Sequence, residues 1–69
     1  ADALSLVETA LDRAYGASVG TLTIVHGIGE GALKNAIRDL LRGSKTYVRS
    51  FRSGTRDEGG ERVTVVELA

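Results

Sequence analysis

The chain has no cysteine. Neither a disulfide nor a thiolate metal site can staple it, and nothing in its composition points to secretion. No apolar run approaches the ~20 residues that a membrane helix needs, and the opening residues do not read as a signal peptide. The expectation is a cytoplasmic protein with no membrane partner. An excess of either charge is also missing: nine Lys or Arg balance nine Asp or Glu, which argues against a strong polyanion binder overall. There are no internal repeats and no low-complexity segments. Sixty-nine residues leave room for one small domain, 1–69, which buries only roughly 60% of its unfolded surface.

What is present is ordinary in amount and uneven in placement. Apolar residues make up 42% and charged residues 26%, as in a globular domain. Between residues 34 and 56, however, stand Lys34, Arg38, Arg42, Lys45, Arg49, Arg52 and Arg56, against the single acid Asp39. The reading is a basic flank on a neutral domain.

The stretch Thr21 to Leu33, TLTIVHGIGEGAL, combines three signals. Thr21, Leu22, Ile24 and Val25 form a short β-rich run, read as a buried strand. Gly27, Gly29 and Gly31 then alternate, so the chain can turn sharply and expose its amides. From Leu33 the apolar spacing becomes helical. A strand leading through glycines into a helix N-terminus directs unpaired N–H groups and the positive end of a dipole at one place, which suits an anion. His26, the one histidine of the chain, stands at its lip.

Before this stretch, Ser5 and Glu8 read as a capping box. Val7, Ala10, Leu11, Ala14 and Tyr15 recur at helical spacing, which predicts a helix from about Leu6 to Tyr15, closed by Gly16 as a left-handed cap. After it, Leu33, Ala36, Ile37, Leu40 and Leu41 predict a second amphipathic helix. Lys34, Arg38 and Arg42 form a stripe on its solvent side, and Gly43 is its stop. Thr46 to Arg52 reads as a strand and Ser53 to Gly60 as a polar loop. Arg62 to Leu68 reads as a strand with Val63 and Val65 on one face and Val66 and Leu68 on the other, as in the middle of a sheet. The order helix, strand, helix, strand, strand is a two-layer α/β arrangement. A first helix with an apolar stripe needs a sheet beneath it, so a further strand is expected upstream of residue 1.

HGIGEGAL, the strand before it and the helix LKNAIRDLL together resemble the signature of the Smr (small MutS-related) domain family. That family shows H-G-x-G-x-G, then a Leu-bearing basic helix, a strand like TYVRSF, and an ending like GGERVTVVEL. VETAL at Val7 to Leu11 is similar to the family's first helix, and the ending resembles the Smr domain at the C-terminus of the second bacterial MutS paralogue. The resemblance implies a βαβαββ sandwich like the C-terminal domain of translation initiation factor three, with strand order 1-2-4-3 and the first strand absent from this chain. It implies nicking of DNA or cleavage of RNA, or action on stalled ribosomes, within a MutS-like parent that dimerises and is linked to suppression of recombination. Two departures stand out. The family's acidic and basic motif before the first helix has no counterpart in Ala1 to Leu4, and the variable positions of the glycine turn are Ile28 and Glu30, the latter a negative charge beside the anion seat.

The chemistry then divides by residue. With an ordinary pKa of about 6.5, His26 can act as acid, base or cation toward a phosphate; alternatively it caps a strand end. Gly27, Gly29 and Gly31 either bring amides to a phosphate or merely shape the turn. Lys34 and Arg38 are placed to hold phosphates, with Arg49, Arg52 and Arg56 extending the track; each also reads as a solvated surface charge. Tyr47 and Phe51 suit base stacking or the core. GIGEGA loosely matches a dinucleotide fingerprint, but the chain is too short and Arg49 to Phe51 occupy the place of the ribose-binding acid. No carboxylate pair suggests a two-metal centre, so a divalent metal has no identifiable site. Phosphodiester cleavage through His26 is the leading reading. A non-catalytic nucleic-acid-binding or ribosome-docking module is the alternative.

Overall fold

A computed structural model describes residues 3–27 and 31–69. The elements run α1 (Ala3–Gly16), β1 (Thr21–Val25), α2 (Ala32–Gly43), β2 (Val48–Ser53), two single 3₁₀ turns (Arg56–Glu58 and Gly60–Arg62) and β3 (Val63–Leu68). The three strands form one antiparallel sheet in the order β1-β3-β2, the order that the resemblance implied for its last three strands. Both helices pack on one face, which makes the two-layer α/β fold.

The layers follow from side-chain periodicity. Val7, Leu11 and Ala14 of α1 and Ile37 and Leu41 of α2 meet Val48, Val66 and Leu68 of the sheet, with Leu22, Ile24, Tyr47 and Phe51 packed around them. β3 lies between two partners, so its residues are buried on both faces: Val66 and Leu68 under the helices, Val63 and Val65 on the other side. The chain from Gly54 to Gly59 closes over Val63. Among the described residues the outer edge of β1 pairs with no strand, and Leu6, Val25 and Leu33 are exposed beside it.

Several local expectations are corrected. β1 is not a buried strand: it is paired on one side only and its residues alternate between exposed and half-buried. Helix α1 begins at Ala3, so Ser5 and Glu8 lie inside it and do not form a capping box. Gly16 is not the left-handed residue that ends α1; that residue is Ser18, with φ 59°. The Ser18 amide donates to the Tyr15 carbonyl and the Val19 amide to the Ala14 carbonyl, the paired bonds of a Schellman ending. β2 starts two residues later than expected, because Thr46 and Tyr47 belong to a turn.

Candidate nucleic-acid interface

The site grows from the end of β1. Beyond Val25 the ladder to β3 continues, with the amides of His26 and Gly27 both donating to the Arg62 carbonyl at 3.0 Å. Alternation along the strand turns Leu22 and Ile24 toward the helices, and His26 follows them two residues on. Ile24 is paired with Thr64, so His26 and Thr64 are diagonal neighbours on the same face, within reach of long side chains. The Thr64 hydroxyl lies 2.9 Å from His26 Nε2, and the Gly27 carbonyl lies 2.8 Å from Nδ1. A carbonyl only accepts, so Nδ1 carries a proton; in the neutral ring Nε2 is then the acceptor and the Thr64 hydroxyl its donor. The ring is half-buried, whereas Thr64 is completely enclosed.

On the other flank of Thr64 stands its partner in β2, Ser53. Arg38 Nη2 donates to Ser53 Oγ at 2.7 Å, and Arg38 Nε is buried without a hydrogen-bond partner. One turn earlier on α2, Lys34 forms an ion pair with Glu61 of the second 3₁₀ turn. That pair, with a hydrogen bond from Ser53 and the nearby Arg38 charge, holds the Glu61 carboxyl below its ordinary value. Lys34 and Arg38 therefore bend over the end of the sheet and are half-buried, not laid out on a solvent stripe as their spacing suggested. Helix α2 starts behind them with Gly31 at φ 83° as its N-cap, no side-chain cap and no acid in its first turn. The first amides of a helix have no intrahelical partner, so a positive pole faces the same end of the sheet.

The structure thus brings His26, Lys34, Arg38 and Gly31 to one end of the domain. It does not bring all the expected residues there. The Gly27 amide is taken by Arg62 and is not offered to an anion; Gly29, with Ile28 and Glu30, lies outside the described residues. Arg49 sits at the opposite end of β2, beside Tyr15, Val19 and Leu68. Ser53 stands four steps further along the strand, about 13 Å away. Arg52 is held by both oxygens of Glu58 at 2.7 and 3.2 Å, and its guanidinium is tied more firmly to its proton as a result. The same contact and the Thr55 amide lower the Glu58 carboxyl to about 2. Tyr47 and Phe51 are spent on the fold: Tyr47 packs edge-on against Tyr15 at 5.0 Å and Arg42 stands over the Phe51 ring at 5.7 Å. Among the described residues no three His, Cys, Asp or Glu side chains converge as metal ligands.

Sequence reasoning missed Thr64, Ser53 and Glu61. For Thr64 a signal existed: a hydroxyl inside RVTVVEL, a run otherwise suited to burial, needs a buried partner.

The Smr domain family matches residues 1–69. Endonuclease MutS2 of Caldanaerobacter subterraneus subsp. tengcongensis is 52% identical over 67 residues, 97% of this chain and 8% of the relative. Endonuclease MutS2 of Caldicellulosiruptor bescii is 51% identical over the same length, again 97% of this chain and 8% of its own. The chain thus spans under a tenth of the curated relatives it matches. The crystal structure of the Smr domain of Thermus thermophilus MutS2 superposes with a TM-score of 0.90 at 45% identity, covering 96% of this chain and 81% of that one. Sequence signature, strand order and superposition agree, and the chain belongs to the Smr domain family.

Proposed function

We propose that this domain nicks the phosphodiester backbone of DNA or RNA, with His26 as the proton-transferring group and Lys34 and Arg38 as the cations that hold the phosphate. The observation that carries the reading is the placement of a fixed, half-buried imidazole beside two bent-over cations at the positive end of α2. The relatives' name, endonuclease, supports the same reaction class.

In that reaction a water oxygen forms a bond to phosphorus while its proton passes to His26 Nε2, which exchanges the Thr64 hydroxyl for the water. The bond from phosphorus to the leaving oxygen breaks, and that oxygen takes a proton from solvent. Lys34 and Arg38 offset the charge gathering on the phosphoryl oxygens, a kind of stabilisation that often lowers the barrier more than any other. Proton transfer by a placed side chain contributes about 10²–10⁴-fold.

The test is relaxation of supercoiled plasmid and cleavage of structured RNA. His26→Ala is expected to lose about 10²-fold or more in nicking rate while binding persists; nicking at the wild-type rate refutes the reading. One observation favours a second reading, binding without cleavage: both ring nitrogens of His26 and the Gly27 amide already have partners inside the domain. Salt-dependent binding of nucleic acid with no cleavage under any buffer would select it.

A further inference from the structure

We propose that Thr64 is a positioning residue for His26: its enclosed hydroxyl donates to Nε2 and, with the Gly27 carbonyl on Nδ1, keeps the neutral imidazole in the Nδ1-protonated form. The proposal rests on His26 being the proton-transferring group, and it names the residue that prepares that group for the task.

A hydroxyl is costly where packing alone would be served without one. Thr64 is completely enclosed in the central strand, and its neighbours along β3 are Val63, Val65 and Val66. Valine has the same shape and no polar group to satisfy, so a threonine there is disfavoured unless its hydroxyl finds a partner. The partner is His26 Nε2 at 2.9 Å. Thr64 is held by ladders on both sides, to Ile24 and to Ser53, and a β-branched side chain has few rotamers. Its hydroxyl oxygen is therefore a fixed point against which the ring is set.

The choice of form matters for the chemistry. In water a neutral histidine side chain favours the proton on Nε2, which would leave that nitrogen unable to accept one. Here the Gly27 carbonyl takes the Nδ1 proton at 2.8 Å. The Thr64 oxygen could also accept, but among the described residues His26 Nε2 is the one acceptor for its enclosed proton, so the hydroxyl favours a bare lone pair there. Two weak preferences at opposite sides of the ring act in the same direction. Orientation of a catalytic histidine through its second nitrogen is a recurring device; in this chain the functional nitrogen itself is also guarded, and a water must displace the hydroxyl to use it. Thr64 is enclosed and does not touch substrate. Its influence passes through His26.

Because the chain has one histidine, its imidazole ¹⁵N–¹H correlations need no assignment. The test compares wild type, Thr64→Val and Thr64→Ser at a pH where the ring is neutral, and measures nicking of supercoiled plasmid on the same samples. Wild type and Thr64→Ser are expected to show the Nδ1-protonated form. Thr64→Val is expected to shift the ratio of the two forms toward Nε2 protonation by about fivefold, the worth of one hydrogen bond, and to slow nicking with KM unchanged. Rescue by Thr64→Ser of both ratio and rate supports the proposal. An Nε2-protonated wild type overturns it, even if Thr64→Val proves unfolded by circular dichroism. An unchanged ratio in folded Thr64→Val also overturns it, whatever the nicking rate. Failure of the underlying reading looks different: His26→Ala would then keep nicking, while the ratio still reports on Thr64.

Discussion

Gly54 is the residue whose replacement tests the packing behind the site. It follows β2 and faces β3, and a Cβ built on it would sit inside the van der Waals surface of Val63 Cγ2, with Glu58 Cβ and the Gly60 carbonyl each at 3.2 Å. Val63 is 4% exposed and has little room to yield. The backbone cannot retreat freely either, because the Gly54 amide donates to the Gly60 carbonyl at 3.1 Å and approaches that of Val63 at 3.3 Å. Forcing one methyl into a filled space costs about 1–3 kcal/mol. For a domain of this size each kcal/mol moves the melting temperature by about 4–8 °C, so Gly54→Ala is expected to lose roughly 4 to 24 °C. The displaced segment carries Glu61 and Arg62, whose side chain and carbonyl hold Lys34 and the His26 and Gly27 amides. Hydrogen exchange at those two amides should therefore quicken in step. Gly43→Ala is the control: nothing lies within 4 Å of a Cβ there and its φ is ordinary, so stability should hold or rise by about 0.5–1 kcal/mol. Thermal melts followed by circular dichroism decide the matter. A Gly54→Ala protein that melts with wild type would show that the loop over Val63 is looser than the geometry requires.

Ser18→Gly should stabilise the domain by about 0.5–1 kcal/mol, since glycine relieves the left-handed strain at the end of α1; denaturant titration measures it, and a loss of stability would refute the assignment of the cap. Glu58 has its carboxyl lowered from 4.5 to about 2. Its contribution is complete above pH ~4.5 and disappears as pH falls through ~2, so Glu58→Gln should be less stable than wild type at pH 6 and the gap should close toward pH 2. If Lys34 and Arg38 hold phosphates, Lys34→Ala and Arg38→Ala should each flatten the log–log salt dependence of duplex DNA binding by about 0.9. Arg49→Ala, at the far end of the sheet, should leave cleavage unchanged. Glu61→Gln removes the carboxylate that now occupies Lys34 and should tighten binding at low salt, as read by fluorescence anisotropy.

The frame of the fold was legible because it depends on short-range patterns. Two apolar faces on RVTVVEL identified the central strand, and helical spacing located both helices to within a few residues. The candidate site could be named from the sequence where the signal was a rare residue in a rare setting: one histidine before a glycine turn. What escaped depends on pairing across the sheet. Thr64 lies 38 residues from His26, and only the register that sets Ile24 opposite Thr64 brings the hydroxyl to the ring.

The basic track illustrates the same limit from the other side. Counting Lys and Arg along the chain treats Arg49, Arg52, Lys34 and Arg38 as one surface, but register and partners divide them. Val48 pairs with Leu68 and Ser53 with Thr64, which sends Arg49 to one end of the sheet and Ser53, with Arg38 upon it, to the other. Arg52 is claimed by Glu58, six residues on. A cation contributes to a phosphate site in proportion to how near it stands and how little its charge is already spent. By that measure Arg38 stands out for the proposed site, because it bonds Ser53, the strand partner of the Thr64 that meets the imidazole, and that bond is to a neutral hydroxyl. An arginine that bonds a neutral hydroxyl has more of its charge to offer an arriving phosphate oxygen than one already held on both nitrogens by a carboxylate.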